Sequence, residues 1–137
     1  MANFVGQPGM NFIQGKIESP NEVAIEIGNN KRLIKFSGEI DSKYIGSDAT
    51  IGVRPQQAKV SHKKDDGSDI PATVKIVEFQ GDSTVLTLKL DDPANSEIQV
   101  TTSVGSESYK RDEKCWLEFK PEFVHLFDKE EKAIIKR

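Results

Sequence analysis

IGVRPQQAKV (residues 51–60) and LEFKPEFVHL (residues 117–126) share one pattern. Each sets apolar residues at alternate positions, then a basic residue (Arg54 or Lys120), then Pro55 or Pro121, then Gln56 or Glu122. Each resumes alternation afterwards, with Ala58 and Val60 or with Val124 and Leu126. Alternation with period two turns one face of an extended strand to a core and the other to water. Proline cannot donate to a strand ladder, so it ends the strand or bends it toward another sheet.

The repetition widens upstream. GKIESPNEVAIEI (residues 15–27) precedes the first proline segment and VKIVEFQGDSTVLTLKL (residues 74–90) the second, each reading strand, turn, strand. Lys16-Ile17 is answered by Lys75-Ile76. A repeat of about 12–61 and 70–127 follows: a hairpin, a connection, a strand ending at proline and a strand resuming. Two such units can each close a small barrel or pool their strands into one. Chance similarity among alternating strands is the competing explanation.

The rest of the chain reads the same way. EVAIEI (residues 22–27) separates Val23, Ile25 and Ile27 from Glu22, Ala24 and Glu26; STVLTLKL (residues 83–90) separates Leu86, Leu88 and Leu90 from Val85, Thr87 and Lys89. NFIQGKI, RLIKF, TIGVRP, ATVKIVEF, EIQVTTSV, KCWLEF, VHLF and KAIIK are further strand candidates, rich in residues that suit a pleated, half-buried surface. SPN, GNN, DDGSD, QGD and DDPANS supply the turns. A short helical turn is expected in EIDSKYIG (residues 39–46). The expectation is an all-β chain, barrel or sandwich, with little helix.

Composition bounds the function. The 137 residues suit one domain or two very small ones. A hydrophobic content of 36% against 30% charged residues implies a thin core and a heavily charged surface. A net charge of −3 with both signs interspersed argues against a generic nucleic-acid binder. The single cysteine, Cys115, excludes an internal disulfide framework. No run approaches the ~20 apolar residues of a membrane span, and MANFVGQPGMNF lacks the features of a secretion signal.

Catalytic raw material is scarce. His62 and His125 are the only histidines, which excludes a His-rich metal site. Cys115 and His125 could in principle pair as nucleophile and base, but Cys115 stands in the alternating strand CWLEF, where a small buried thiol is ordinary. His125 alternates with Val124 and Leu126 and is read as a surface residue. The polar loop Lys63–Asp69 lacks the spacing of a calcium loop. GQPG (residues 6–9) lacks the Lys-Ser/Thr of a phosphate loop and reads as a turn, with Gly9 taking positive φ. The basic pairs Lys31-Arg32, Lys63-Lys64, Lys110-Arg111 and Lys136-Arg137 are scattered among acids, as on a solvated surface. No catalytic, cofactor or metal set emerges.

FVGQPGMNF (4–12), IGVRPQQAKV, IVEFQGDSTVLTLKL (76–90) and VHLFDKEEKAII (124–135), in that order, resemble a known family. It is the C-terminal regulatory domain of ATP-binding subunits of bacterial ABC importers for maltose, other sugars and glycerol phosphate, built on transport-associated OB (TOBE) segments. Pro8, Met10, Asn11 and Phe12 match the family's lead into the β domain, Arg54-Pro55 its corner segment, Gly81 its hairpin turn, and His125 to Asp128 its closing segment. Gln56-Gln57 stands where many relatives have Glu-His, so no role of that acid is carried over.

The resemblance implies an OB-like or TOBE fold over residues 1–137, read as a fragment without the ATPase domain. This chain would then hold no cofactor, ATP and magnesium being bound by that domain. The implied partners are a second copy of the chain, the transporter's membrane subunits and a regulatory protein, with no nucleic acid. The implied location is cytoplasmic, peripheral on the membrane's inner face. Leu126 and Phe127 are the expected dimer contact, Pro8, Met10 and Asn11 the hinge to the ATPase domain, and Arg54 and Pro55 the strand corner. Two other classes stay open: small-oxyanion binding and single-stranded nucleic-acid binding.

Overall fold

The structure is a computed structural model that describes residues 9–64, 70–103 and 108–137. Ten strands account for most of it: β1 (Asn11–Ser19), β2 (Glu22–Ile27), β3 (Asn30–Lys35), β4 (Asp48–Val53), β5 (Ala58–Ser61), β6 (Ile70–Gln80), β7 (Ser83–Lys89), β8 (Glu97–Ser103), β9 (Lys114–Phe119) and β10 (His125–Phe127). Among the described residues, helix is confined to single 3-10 turns at Ser42–Tyr44, Pro55–Gln57 and Pro121–Phe123. The first falls inside the EIDSKYIG segment, where Asp41 caps it by accepting a hydrogen bond from Lys43 N–H at 3.0 Å.

The strands form two five-stranded antiparallel sheets, ordered β10-β4-β1-β2-β3 and β5-β9-β6-β7-β8. Adding five to each label of the first order, counted cyclically, gives the second. Each half of the chain therefore builds four strands of its own sheet and sends its fifth to the other. The crossing happens at the prolines. After β4 in the first sheet, Arg54 is extended (φ −75, ψ 146), Pro55 starts the 3-10 turn, and the chain emerges as β5 in the second sheet. After β9 in the second sheet, Lys120 (φ −67, ψ 138) and Pro121 return it as β10 in the first.

The exchange joins two thin half-cores into one. A single cluster of buried side chains runs from Ile13, Ile17 and Ile25 through Leu86, Leu88 and Ile98 to Leu117 and Leu126. Strands are therefore pooled, and neither half closes a barrel by itself. The alternation behaves as read: Val23, Ile25 and Ile27 are buried, as are Leu86, Leu88 and Leu90. A bulge in β6 between Val74 and Ile76 changes the phase of that strand. Beyond it Ile76 is 49% and Phe79 83% exposed, on a hairpin that outruns the core and turns at Gly81 (φ 64).

One expected strand is corrected. KAIIK does not form a ladder; it makes two isolated bridges, Ala133 to Phe127 and Lys136 to Glu39. The segment is shared between two different neighbours, so no continuous register develops, although Ile134 is buried.

Candidate functional site

The chain enters β1 through Gly9, which has φ 80, followed by Met10 and Asn11; Pro8 lies outside the described residues. Asn11 is 9% exposed, and its side chain bonds both backbone groups of Gln99 in β8. Its Nδ2 donates to Gln99 O at 2.7 Å, and Gln99 N–H donates to its Oδ1 at 2.8 Å. An asparagine amide can copy one rung of a strand ladder in this way. Asn11 thus ties the start of the first sheet to the edge of the second, so the lead segment is fixed to both sheets at once.

Met10 and Phe127 form a small buried cluster with Phe12 packed against it. The Phe12 and Phe127 rings meet edge to face at 6.2 Å. The cluster lies on Gly52 of β4, the residue opposite His125. A Cβ at Gly52 would overlap Met10 Sδ and come within 2.9 Å of Phe127 Cε2. The residues expected at the hinge and at the dimer contact are therefore neighbours in space. Leu126 and Phe127 are 1% and 3% exposed, their side chains covered within the chain. β10 is the outermost strand of its sheet, and residues 132–134 cover part of its outer edge through Ile134 N–H to Leu126 O at 3.0 Å.

Arg137 secures the second corner. Its guanidinium donates to Pro121 O at 3.3 Å, to Ser37 O at 3.3 Å and to Val124 O. His125, half-buried beside this corner, has its pKa lowered from 6.5 by burial and by the nearby charges of Arg137 and Arg54. Cys115 is fully buried in β9, and burial, with the charge of Glu113, pushes its thiol up to about 12. A thiol held neutral to that degree is not an activated nucleophile.

Of the basic pairs, Lys31 makes an ion pair with Glu18 at 3.0 Å, Arg137 holds the backbone carbonyls of the second corner, and Arg32 faces the core side of β3. Of the polar loop, Lys63 and Lys64 are described and Asp65 to Asp69 lie outside the described residues. Among the described residues no group of three His, Cys, Asp or Glu could hold a metal ion. No helix among them is long and apolar enough to cross a membrane. Sequence reading missed Gln99 and Arg137, whose partners lie 88 and up to 100 residues away, a separation that leaves no local signal.

This architecture has known counterparts. The model of the TOBE domain matches residues 51–127, and that of the MalK OB fold domain matches residues 6–58. The two meet over β4 and the first proline corner. The xylose/arabinose import ATP-binding protein XacK of Haloferax volcanii is 26% identical over 135 residues, covering 95% of this chain and 33% of that protein. An sn-glycerol-3-phosphate import ATP-binding protein of Agrobacterium fabrum, UgpC 2, is 33% identical over 86 residues, covering 63% of this chain and 21% of that protein. This chain thus spans a third or less of these relatives. Among solved structures, the cytoplasmic molybdate-binding protein ModG superposes with a TM-score of 0.64 at 16% identity, covering 89% of this chain and 96% of that one. The exchanged-strand double sheet and these matches together place the chain in the TOBE-domain family, with an OB-type fold related to the C-terminal domains of ABC importer ATP-binding subunits.

Proposed function

We propose that this chain is the regulatory and dimerisation unit of an ATP-binding subunit serving an importer of carbohydrate or a related solute. The observation that carries the reading is the alignment with XacK, which takes in nearly all of this chain and only a third of that protein. On this reading the remaining part of the subunit supplies the ATPase domain, which binds ATP and magnesium and docks on the transporter's membrane subunits. The unit then lies at the cytoplasmic face of the membrane without entering it.

The geometry suits a lever rather than a catalyst. A displacement applied at Pro8, Met10 and Asn11 reaches both sheets together, because Asn11 is bonded to Gln99 of the second sheet while β1 belongs to the first. Two such units in contact tether two ATPase domains and raise their effective concentration. A regulatory protein bound to the pair biases opening or closing only through different affinity for the two states. Leu126 and Phe127 hold β10 in place for this contact, and Arg54 and Pro55 set the corner that feeds the exchanged strand. Small-oxyanion binding as an alternative is favoured by one feature, the cationic cleft described below.

The test is an immunoblot of source-cell fractions with antibody raised against this chain. A species much heavier than 15.3 kDa, sedimenting with membranes and released by alkaline carbonate, is the expected result. A free soluble species of 15.3 kDa would remove the importer reading. Cross-linking in the same membranes reads the dimer, which is lost if only one copy is ever captured.

A further inference from the structure

The relation between the two halves extends to their outer faces. The turn after β2 leans over the second sheet, held by Gly28 N–H donating to Asp91 O at 2.6 Å. The turn after β7 leans over the first sheet, stiffened by Asp92, which accepts from Ser96 N–H at 2.6 Å and from its hydroxyl at 2.5 Å. Under each turn lies a cleft, of about 530 Å3 and about 540 Å3 respectively. In each, the second-to-third strand turn of one half faces the first, second and fourth strands of the other, and in the cleft on the first sheet Lys31 of the third strand joins them. Both volumes fall in the range usual for small-molecule sites.

Their charges have parted. The cleft on the first sheet is lined by Glu18, Glu26, Asp48 and Asp92 against Lys16 and Lys31. The cleft on the second sheet is lined by Arg32, Lys89 and Lys114 against Asp91 alone. In a chain of net charge −3, this gathering of cations is not the composition at large. It is also ordered. Thr73 of β6 stands directly opposite both Lys89 of β7 and Lys114 of β9, so the three side chains form one row on the outer face. Glu97, the next residue along the row, is engaged by Lys75 at 3.6 Å.

Neither Lys89 nor Lys114 has an ion pair among the described residues. Lys31 in the other cleft is paired with Glu18. Arg32 shares the core side of edge strand β3 with Ile34, and its Nε is shielded from water with no hydrogen-bond partner among the described residues. A shielded donor without a partner is costly, more so when charged. An inward charge on an edge strand can guard that edge, which accounts for Arg32 but not for the row facing it. Beside the row stands Trp116, with the ammonium groups of Lys114 and Lys64 5.1 Å and 5.7 Å from its ring centre.

We propose that the cleft between the β2–β3 turn and the second sheet binds a small organic anion. Its phosphate or carboxylate end meets Arg32, Lys89, Lys114 and the Thr73 hydroxyl, and its apolar or ring portion lies against Trp116. The site belongs to a single chain and does not rest on the importer reading; either can fail without the other.

Trp116 is the only tryptophan, so its emission reports on this cleft alone. The full chain is titrated with phenyl phosphate and with benzoate, with sodium chloride at matched ionic strength as reference. Saturable change with either ligand, reversed by inorganic phosphate in the phenyl phosphate case, is expected; the stronger of the two identifies the anion. Lys89→Gln and Lys114→Gln, both at exposed positions, are expected to weaken the dissociation constant about tenfold or more, and Arg32→Gln likewise. The constant is compared rather than the intensity, because Lys114→Gln alters the indole's surroundings directly. Lys31→Gln in the opposite cleft leaves it unchanged. If Arg32→Gln fails to fold by circular dichroism, the two lysine variants decide. No saturable change with either ligand, or an unchanged constant in both lysine variants, overturns the proposal.

Discussion

Replacing Asn11 by Ala removes two hydrogen bonds that join the sheets, at 2.7 Å and 2.8 Å, both to Gln99. Each is worth about 0.5–1.5 kcal/mol net, and a buried group left unpaired adds to the loss. Gln99 lies on an edge strand and its side chain is exposed, so water can reach part of what Asn11 vacates. The expected destabilisation is therefore about 2 kcal/mol, which for a chain of this length lowers the midpoint of thermal unfolding by roughly 6–10 °C. Urea unfolding followed by circular dichroism measures it directly. A loss below about 0.5 kcal/mol would mean that Asn11 does not tie the sheets together, and with it the account of a lead segment fixed to both would fall.

Asn11→Asp sharpens the test because it keeps the shape. One carboxylate oxygen can still accept from Gln99 N–H, but the other then faces the Gln99 carbonyl, acceptor against acceptor. The ionised form is disfavoured, so the folded pKa of this new carboxyl rises above its unfolded value of about 3.9. The protonated form can donate to Gln99 O. The penalty relative to wild type is accordingly present above that raised pKa and lost as pH falls through it. A penalty that stays constant from neutral pH to about pH 4 would refute the bidentate geometry.

Three further outcomes follow from the same neighbourhood and core. His125 has a folded pKa below 6.5, so the unfolded chain takes up its proton first; stability should decline as pH falls below about 6.5, and His125→Gln should flatten that slope in urea titrations. An identical slope in the variant would exclude His125 as its source. Cys115, with its thiol pushed up to about 12 and no exposure, should resist a disulfide reagent in the native chain and react fully in urea; rapid native labelling would contradict the packing of β9. Gly52→Ala drives a Cβ into Met10 and Phe127 and should destabilise by about 1–3 kcal/mol. Met10→Ala should recover part of that loss, whereas strictly additive effects would separate Met10 from Gly52.

Strand exchange gives the small double unit its cohesion. A half-chain sheet of four strands would leave one apolar face without a partner, and a charged fraction of 30% leaves little apolar material to cover it. Sending β5 and β10 across makes each sheet depend on the other half for its terminal strand. Arg137 then closes the second crossing by bonding the carbonyls around Pro121. Cutting or loosening either corner is therefore expected to weaken both sheets together.

The sequence alone determined the period-two strands, the turns at Gly28 and Gly81, the 3-10 turn near Ser42, and the two prolines at which strands must stop. All of these are read from a few adjacent residues, because backbone conformation and face alternation are local properties. The repeated wording around Arg54-Pro55 and Lys120-Pro121 also pointed to two like units and to the TOBE family. Only the tertiary structure decided which sheet receives the strand after each proline. It also decided that Asn11 would meet Gln99, that Met10 and Phe127 would share one cluster on Gly52, and that KAIIK would split between two neighbours. The cationic row of Lys89, Thr73 and Lys114 opposite Arg32 belongs to the same class. Those residues look like scattered surface charges along the chain. They converge only because antiparallel register and strand exchange bring distant positions side by side, and nothing in the neighbouring sequence encodes that register.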